Sequence, residues 1–130
     1  MVGPTLRYAK VVDHEQFLRS GARIRPGLDS GLELDSPPPA VVKPFYVMRA
    51  WDDFDAFEET WRITDPYGMT VHPPVTREVR VEDGDLADEV SSMHVEYDSA
   101  GYQLILEVDG REVARVGFPV FLPGAAAPAG

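Results

Sequence analysis

The chain has 130 residues, 44% hydrophobic and 26% charged, ordinary proportions for one globular domain able to bury its own core. Twelve Lys and Arg face 22 Asp and Glu, a formal net charge of -10, which repels phosphate backbones and anionic bilayers and argues against nucleic-acid or membrane partners. With no cysteine in the chain, disulfides, thiol nucleophiles, iron-sulfur clusters and cysteine-held zinc are excluded.

The opening MVGPTLRYAK lacks an apolar leader core, Val2 stands where N-myristoylation needs glycine, and no apolar run approaches the ~20 residues of a membrane span. A cytoplasmic location is expected. Twelve prolines and 11 glycines interrupt the chain too often for a helical bundle and predict many short strands.

Leu6 to Val12 reads as a first strand, followed by a short helical turn from His14 to Arg19. Asp13 caps that turn with Gln16 reaching back, Val12 and Phe17 form a staple, and Gly21 ends it. Residues 20 to 40 read mostly as loop, with a weak alternation at Leu32 and Leu34 and a stiff, extended Pro37-Pro38-Pro39 connector. Val41 to Trp51 is an apolar run suited to a strand buried on both faces, with Pro44 at an edge or bulge near its start. Phe57, Trp61 and Ile63 then share one face, and Asp65-Pro66-Tyr67-Gly68 carries turn chemistry that sets Ile63 opposite Val71.

Beyond a break at Pro73-Pro74, Val75, Val79 and Val81 alternate with polar residues until residues 82 to 89, an expected acidic loop. Met93, Val95 and Tyr97 fall on one face, His94 and Glu96 on the other. In the last hairpin Tyr102, Leu104 and Leu106 point inward. A three-residue Val108-Asp109-Gly110 loop sets Leu104 against Ala114, Tyr102 against Val116 and Glu107 across from Arg111, whereas a two-residue loop would set Leu104 against Arg115. Residues 1-122 are expected to form one domain and 123-130 a flexible tail of small residues.

The stretch DSAGYQL resembles the D-x-A-x-Y pattern that opens strand F of immunoglobulin-like sandwiches, where a tyrosine ties the chain back to its own backbone. The resemblance implies that Asp98, Ala100 and Tyr102 hold a corner and that Leu104 fills the place of the second cysteine of antibody domains. No disulfide can form, and either Trp51 or Trp61 is available as the core tryptophan. The expected fold is all-β: an antiparallel β-sandwich, immunoglobulin-like and Greek-key, with one short helical turn near the N-terminus.

Chemistry-bearing patterns are few. His94 and Glu96 on one strand face, approached by His72, are the weak candidates for a metal site, but the three histidines lack close metal-binding spacing and no metal or cofactor is expected. The WDDFDAFEE run lacks the spacing of a calcium loop, and neither a G-x-S-x-G elbow nor a phosphate-cradling glycine loop is present. The expectation is a non-catalytic sandwich that mediates protein-protein interaction or self-assembly, its partner a protein or a second copy of itself. Tyr46, Trp51, Phe54, Tyr67 and Phe121 are its candidate interface anchors, since aromatic rings dominate interface hot spots. The alternative is a small-molecule-binding or catalytic β-barrel, which requires an apolar cavity of ~300 Å3 or more with converging polar groups.

Overall fold

Proline, glycine and short acidic stretches divide the chain into strands. A computed structural model describes residues 3-15 and 30-122. The strands are β1 (Thr5–Asp13), β2 (Leu32–Glu33), β3 (Ala40–Val42), β4 (Phe45–Asp52), β5 (Ala56–Thr64), β6 (Thr70–Arg80), β7 (Asp85–Val90), β8 (Met93–Val95), β9 (Ser99–Val108) and β10 (Arg111–Phe121). A 3-10 turn at Val81–Asp83 joins β6 to β7. The fold is all-β.

Three sheets result, ordered β1-β4-β7, β2-β10-β9-β5-β6 and β3-β8. All pairings between these strands are antiparallel except that of β2 with β10. The two larger sheets pack face to face, because β4 and β5 each turn a row of buried side chains toward the other: Phe45, Val47, Arg49 and Trp51 against Phe57, Glu59, Trp61 and Ile63. The other face of β4 is covered as well, with Met48 and Val12 at 1% and 0% exposure beside Tyr8 and Tyr46. On one side, residues 31-33 bridge the sheets, Gly31 lying parallel to Val12 of β1 and Leu32 parallel to Val120 of β10.

Several expectations are corrected by the structure. Val41 to Trp51 is not one strand with Pro44 at an edge or bulge near its start: Lys43 and Pro44 separate β3 from β4, which enter different sheets, since a residue without an N–H cannot extend a central ladder. Pro73 and Pro74 do not break β6; they lie within it, tolerated because β6 pairs only with β5 and leaves its other edge free of ladder bonds to described residues. The expected acidic loop contains strand β7, whose Leu86, Asp88 and Val90 alternate with exposed Asp85, Ala87 and Glu89. Ile63 faces His72 rather than Val71, because β6 carries an extra residue on either side of this pair.

The last hairpin follows neither simple register. Its loop is the two-residue Asp109-Gly110, with φ of 51° and 80°, the conformation that Asp-Gly favours in tight hairpins. A bulge between Glu112 and Ala114 then shifts the strand by one residue and brings Val116 opposite Leu104 and Phe118 opposite Tyr102. Glu107 therefore faces Glu112 and pairs instead with Arg62 on β5 at 3.4 Å. At the N-terminal end, His14 and Glu15 begin a helical turn capped by Asp13, whose Oδ1 accepts the Glu15 N–H at 2.8 Å. The remainder of that expected turn, residues 16-19, lies outside the described residues, as does the tail at 123-130.

Candidate functional site

A ligand-binding barrel would keep its site between the sheets, and among the described residues large side chains are buried in that space. Trp61, Tyr102, Phe45, Phe118, Leu104 and Leu106 are each at most 1% exposed. Among them lies a charged cluster. The Arg49 guanidinium, 0% exposed, donates through Nε to Glu59 Oε2 at 3.0 Å, through Nη1 to the Val47 carbonyl at 2.8 Å, and through Nη2 to Glu59 Oε1. Glu59 also accepts the Trp51 indole N–H at 2.6 Å. Asp88 lies 3.2 Å from Arg49 Nη2, accepts the Trp61 indole N–H at 2.8 Å and pairs with Arg77.

The cluster joins β4, β5, β6 and β7, so it ties one sheet to the other. Removing such charges from water costs several kcal/mol per ion, and close bidentate pairing with further hydrogen bonds is what offsets that cost. The Arg49 and Glu59 bonds described here all go to other members of the cluster or to backbone, while Arg77, at the outer side of the cluster, keeps one buried donor, Nε, without a partner among the described residues.

Open depressions occur at the outer rim near the β4-β5 and β9-β10 turns. One of about 320 Å3 is lined by Gly3, Pro4, Asp53, Phe54, Asp55, Ala56, Phe57 and Asp109. At this end Gly84 allows a close backbone approach: its carbonyl accepts the Trp51 N–H at 2.8 Å, and an added Cβ would meet the Trp51 carbonyl at the same distance. Among the described residues no three His, Cys, Asp or Glu side chains converge to hold a metal ion.

The opposite end of the same strands is different in kind. Asp65, 7% exposed, closes the β5-β6 turn with its own carboxylate: Oδ1 accepts the N–H groups of Tyr67 at 2.8 Å and Met69 at 3.0 Å. The Asp65 N–H donates to the Met69 carbonyl at 2.8 Å, and the Gly68 N–H returns to the Asp65 carbonyl at 3.0 Å. Gly68 takes the left-handed φ of 83° that this turn demands. Pro66 seats against Gly101, where an added Cβ would come within 3.0 Å of the proline ring.

This fixed turn presents Tyr67 and Met69 to solvent at 74% and 67% exposure. The Tyr67 ring meets that of Tyr97, itself 38% exposed, edge to face with centroids 5.0 Å apart. Beneath Tyr97, the Tyr102 hydroxyl donates to the Tyr97 carbonyl at 2.8 Å and lies 3.3 Å from the Tyr97 N–H. Burial holds the Tyr102 hydroxyl above the ordinary phenol range despite the opposing effect of the backbone hydrogen bond with Tyr97, whose N–H faces the phenol oxygen. It therefore remains a proton donor. Tyr102 of the DSAGYQL stretch thus ties the chain back to its own backbone.

The other expected anchors lie elsewhere. Trp51 is 2% exposed with its N–H engaged by Glu59, which makes it a core residue rather than an interface anchor. Phe54 is half-buried against Phe57, ring centroids 5.0 Å apart, on the acidic rim. Tyr46 is half-buried, stacks on His14 at 5.5 Å and extends its hydroxyl to Glu89. Phe121 is half-buried and its carbonyl accepts the Leu34 N–H at 2.8 Å. His94 and Glu96 share a face and bond each other at 2.8 Å, while His72 stacks on Trp61 at 4.9 Å and points its Nδ1 at the Pro73 carbonyl.

Met69 and Tyr97 were not singled out from sequence. Tyr97 falls on the apolar side of the 93-97 alternation and therefore reads as core, and Met69 directly follows the turn with no strand pattern to place it. No protein-family model matches this chain, and no curated protein matches it. Its class is thus defined by what the residues build: an all-β protein of several antiparallel sheets with an ion cluster inside and an aromatic corner outside.

Proposed function

We propose that this chain is a non-catalytic, immunoglobulin-like β-sandwich module that binds a protein partner or a second copy of itself through the Tyr67-Met69-Tyr97 corner. The observation that carries the reading is the exposure of Tyr67 and Met69 on a turn fixed by Asp65, beside the exposed ring of Tyr97, whose backbone is tied by Tyr102. A large apolar or aromatic group held rigidly in water loses little conformational freedom when a partner covers it. The filled space between the sheets supports the non-catalytic half of the reading.

The immunoglobulin-like half is supported by strand order. The β1-β4-β7 sheet runs in the order of strands A, B and E, and β10-β9-β5-β6 in the order G, F, C and C′. Trp61, on β5, then occupies strand C, and Leu104, two residues beyond the corner tyrosine, is fully buried in the cysteine position. The absence of cysteine accords with a reducing, cytoplasmic setting, and a net charge of -10 with a protein rather than a nucleic-acid or membrane partner. Among the described residues no helix is long and apolar enough to cross a membrane.

The test compares the wild-type chain with Tyr67→Ser/Met69→Ser by sedimentation and by quantitative co-purification from cells of the source organism. The variant is expected to lose the associated protein or the oligomer while keeping its unfolding transition. Retention of the same associations by the variant, or a wild-type chain that remains a solitary monomer, contradicts the reading.

A further inference from the structure

We infer that the aromatic corner receives a cationic segment of a partner protein, with an arginine or lysine head held against the Tyr67 and Tyr97 rings. The inference rests on the association reading above and specifies the chemistry of the partner.

The two rings meet at 62° with centroids 5.0 Å apart, so they form adjoining walls rather than a flat stack. Each ring presents a face of negative potential, the surface that attracts an ammonium or guanidinium group. Exposed Glu96 and Asp98 flank Tyr97 in the chain, and Met69 supplies an apolar surface for the methylene stem of a basic side chain. Residues 63-76 and 81-110, which contain the corner, include no lysine or arginine. His94, the nearest basic group in sequence to Tyr97, already bonds Glu96 at 2.8 Å.

The opposite end of the sandwich serves as an internal control. Asp52, Asp53, Asp55, Glu82, Asp83 and Asp85 make it richer in carboxylates than the corner, but none of its exposed large apolar groups is a tyrosine. Charge alone would draw a basic peptide there. Charge together with paired rings would draw it to Tyr67 and Tyr97.

The experiment titrates isotopically labelled full-length chain with otherwise identical short peptides on a Leu-Pro-Gly background, carrying paired arginines, glutamines or glutamates. The arginine peptide should shift the amides of Tyr67, Met69 and Tyr97 and weaken as salt is raised, with the glutamine peptide about tenfold weaker. Tyr67→Ala should abolish binding and Asp98→Asn should weaken it several-fold, whereas Asp53→Asn at the far end should leave it unchanged. Equal binding of the glutamine peptide, or arginine-peptide shifts confined to residues 52-55 and 82-85, overturns the inference. Charge-independent binding at the corner overturns only the cationic assignment, whereas natural partners that survive Tyr67→Ser/Met69→Ser overturn the association reading itself.

Discussion

The cluster around Arg49 and the corner around Tyr67 are built from the same kinds of group, carboxylates and aromatic rings, and they put them to opposite uses. Around Arg49 the carboxylates are engaged within the chain: Glu59 serves both Arg49 and the Trp51 indole, and Asp88 serves Arg49, Arg77 and the Trp61 indole. At the corner, Asp65 Oδ1 engages only backbone, and the Tyr67 and Met69 side chains on the turn it fixes face water. A group whose partners lie within its own chain stabilises that chain, and a group that is positioned but uncovered is available to another molecule. Mutations should therefore separate the two regions, the inner one moving stability and the outer one moving association.

The largest expected effect is Glu59→Ala. It strands a fully buried guanidinium and an indole N–H, and unfolding in urea should show a loss of ~3-5 kcal/mol while corner binding by the surviving folded fraction is unchanged. Replacing Arg49 and Glu59 together by Met and Leu should restore most of that loss, because no uncompensated charge remains. Tyr102→Phe comes next. It removes the donor to the Tyr97 carbonyl and should cost ~1-2 kcal/mol, with faster amide exchange around residues 96-98. This substitution links the two regions, since Tyr97 is both tied by Tyr102 and exposed beside Tyr67.

Tyr67→Ser should change stability by no more than ~0.5 kcal/mol while eliminating association, the inverse of Glu59→Ala. The smallest effect belongs to the surface pair on β10. Hydrogen bonds from Arg115 hold the Glu112 carboxyl below the ordinary carboxylate range. Its small contribution is present above the unfolded-state value and disappears as pH falls through the lowered folded value. Titration of Glu112 followed by NMR should show the depressed value in the wild type and an ordinary one in Arg115→Ala.

What was legible in the sequence follows the same inside-outside division. β1, β4, β5 and β9 announce themselves by runs or alternations of apolar residues, and the Tyr102 corner by a local pattern whose donor and acceptor are five residues apart. β7 was illegible because Asp88 occupies an inward position. A carboxylate in that place makes sense only beside Arg49, Arg77 and Trp61 from three other strands. The β9-β10 register was illegible because the bulge between Glu112 and Ala114 supplies a one-residue shift that no side-chain alternation encodes. Of the five candidate anchors, Tyr67 stands openly on the surface because turn chemistry placed it there. Trp51 looks alike in composition, but a carboxylate eight residues along the chain is invisible as its partner until β4 and β5 face each other and bring Glu59 to its indole N–H.

The central claim, an interior closed by its own ion cluster with recognition left to the outer surface, is tested most directly by hydrogen exchange of the two indole N–H protons. Both Trp51 and Trp61 should exchange only through global unfolding, at rates that follow the free energy measured in urea. Exchange within seconds in the native state would mean that water reaches Glu59 and Asp88 between the sheets, and would contradict the account.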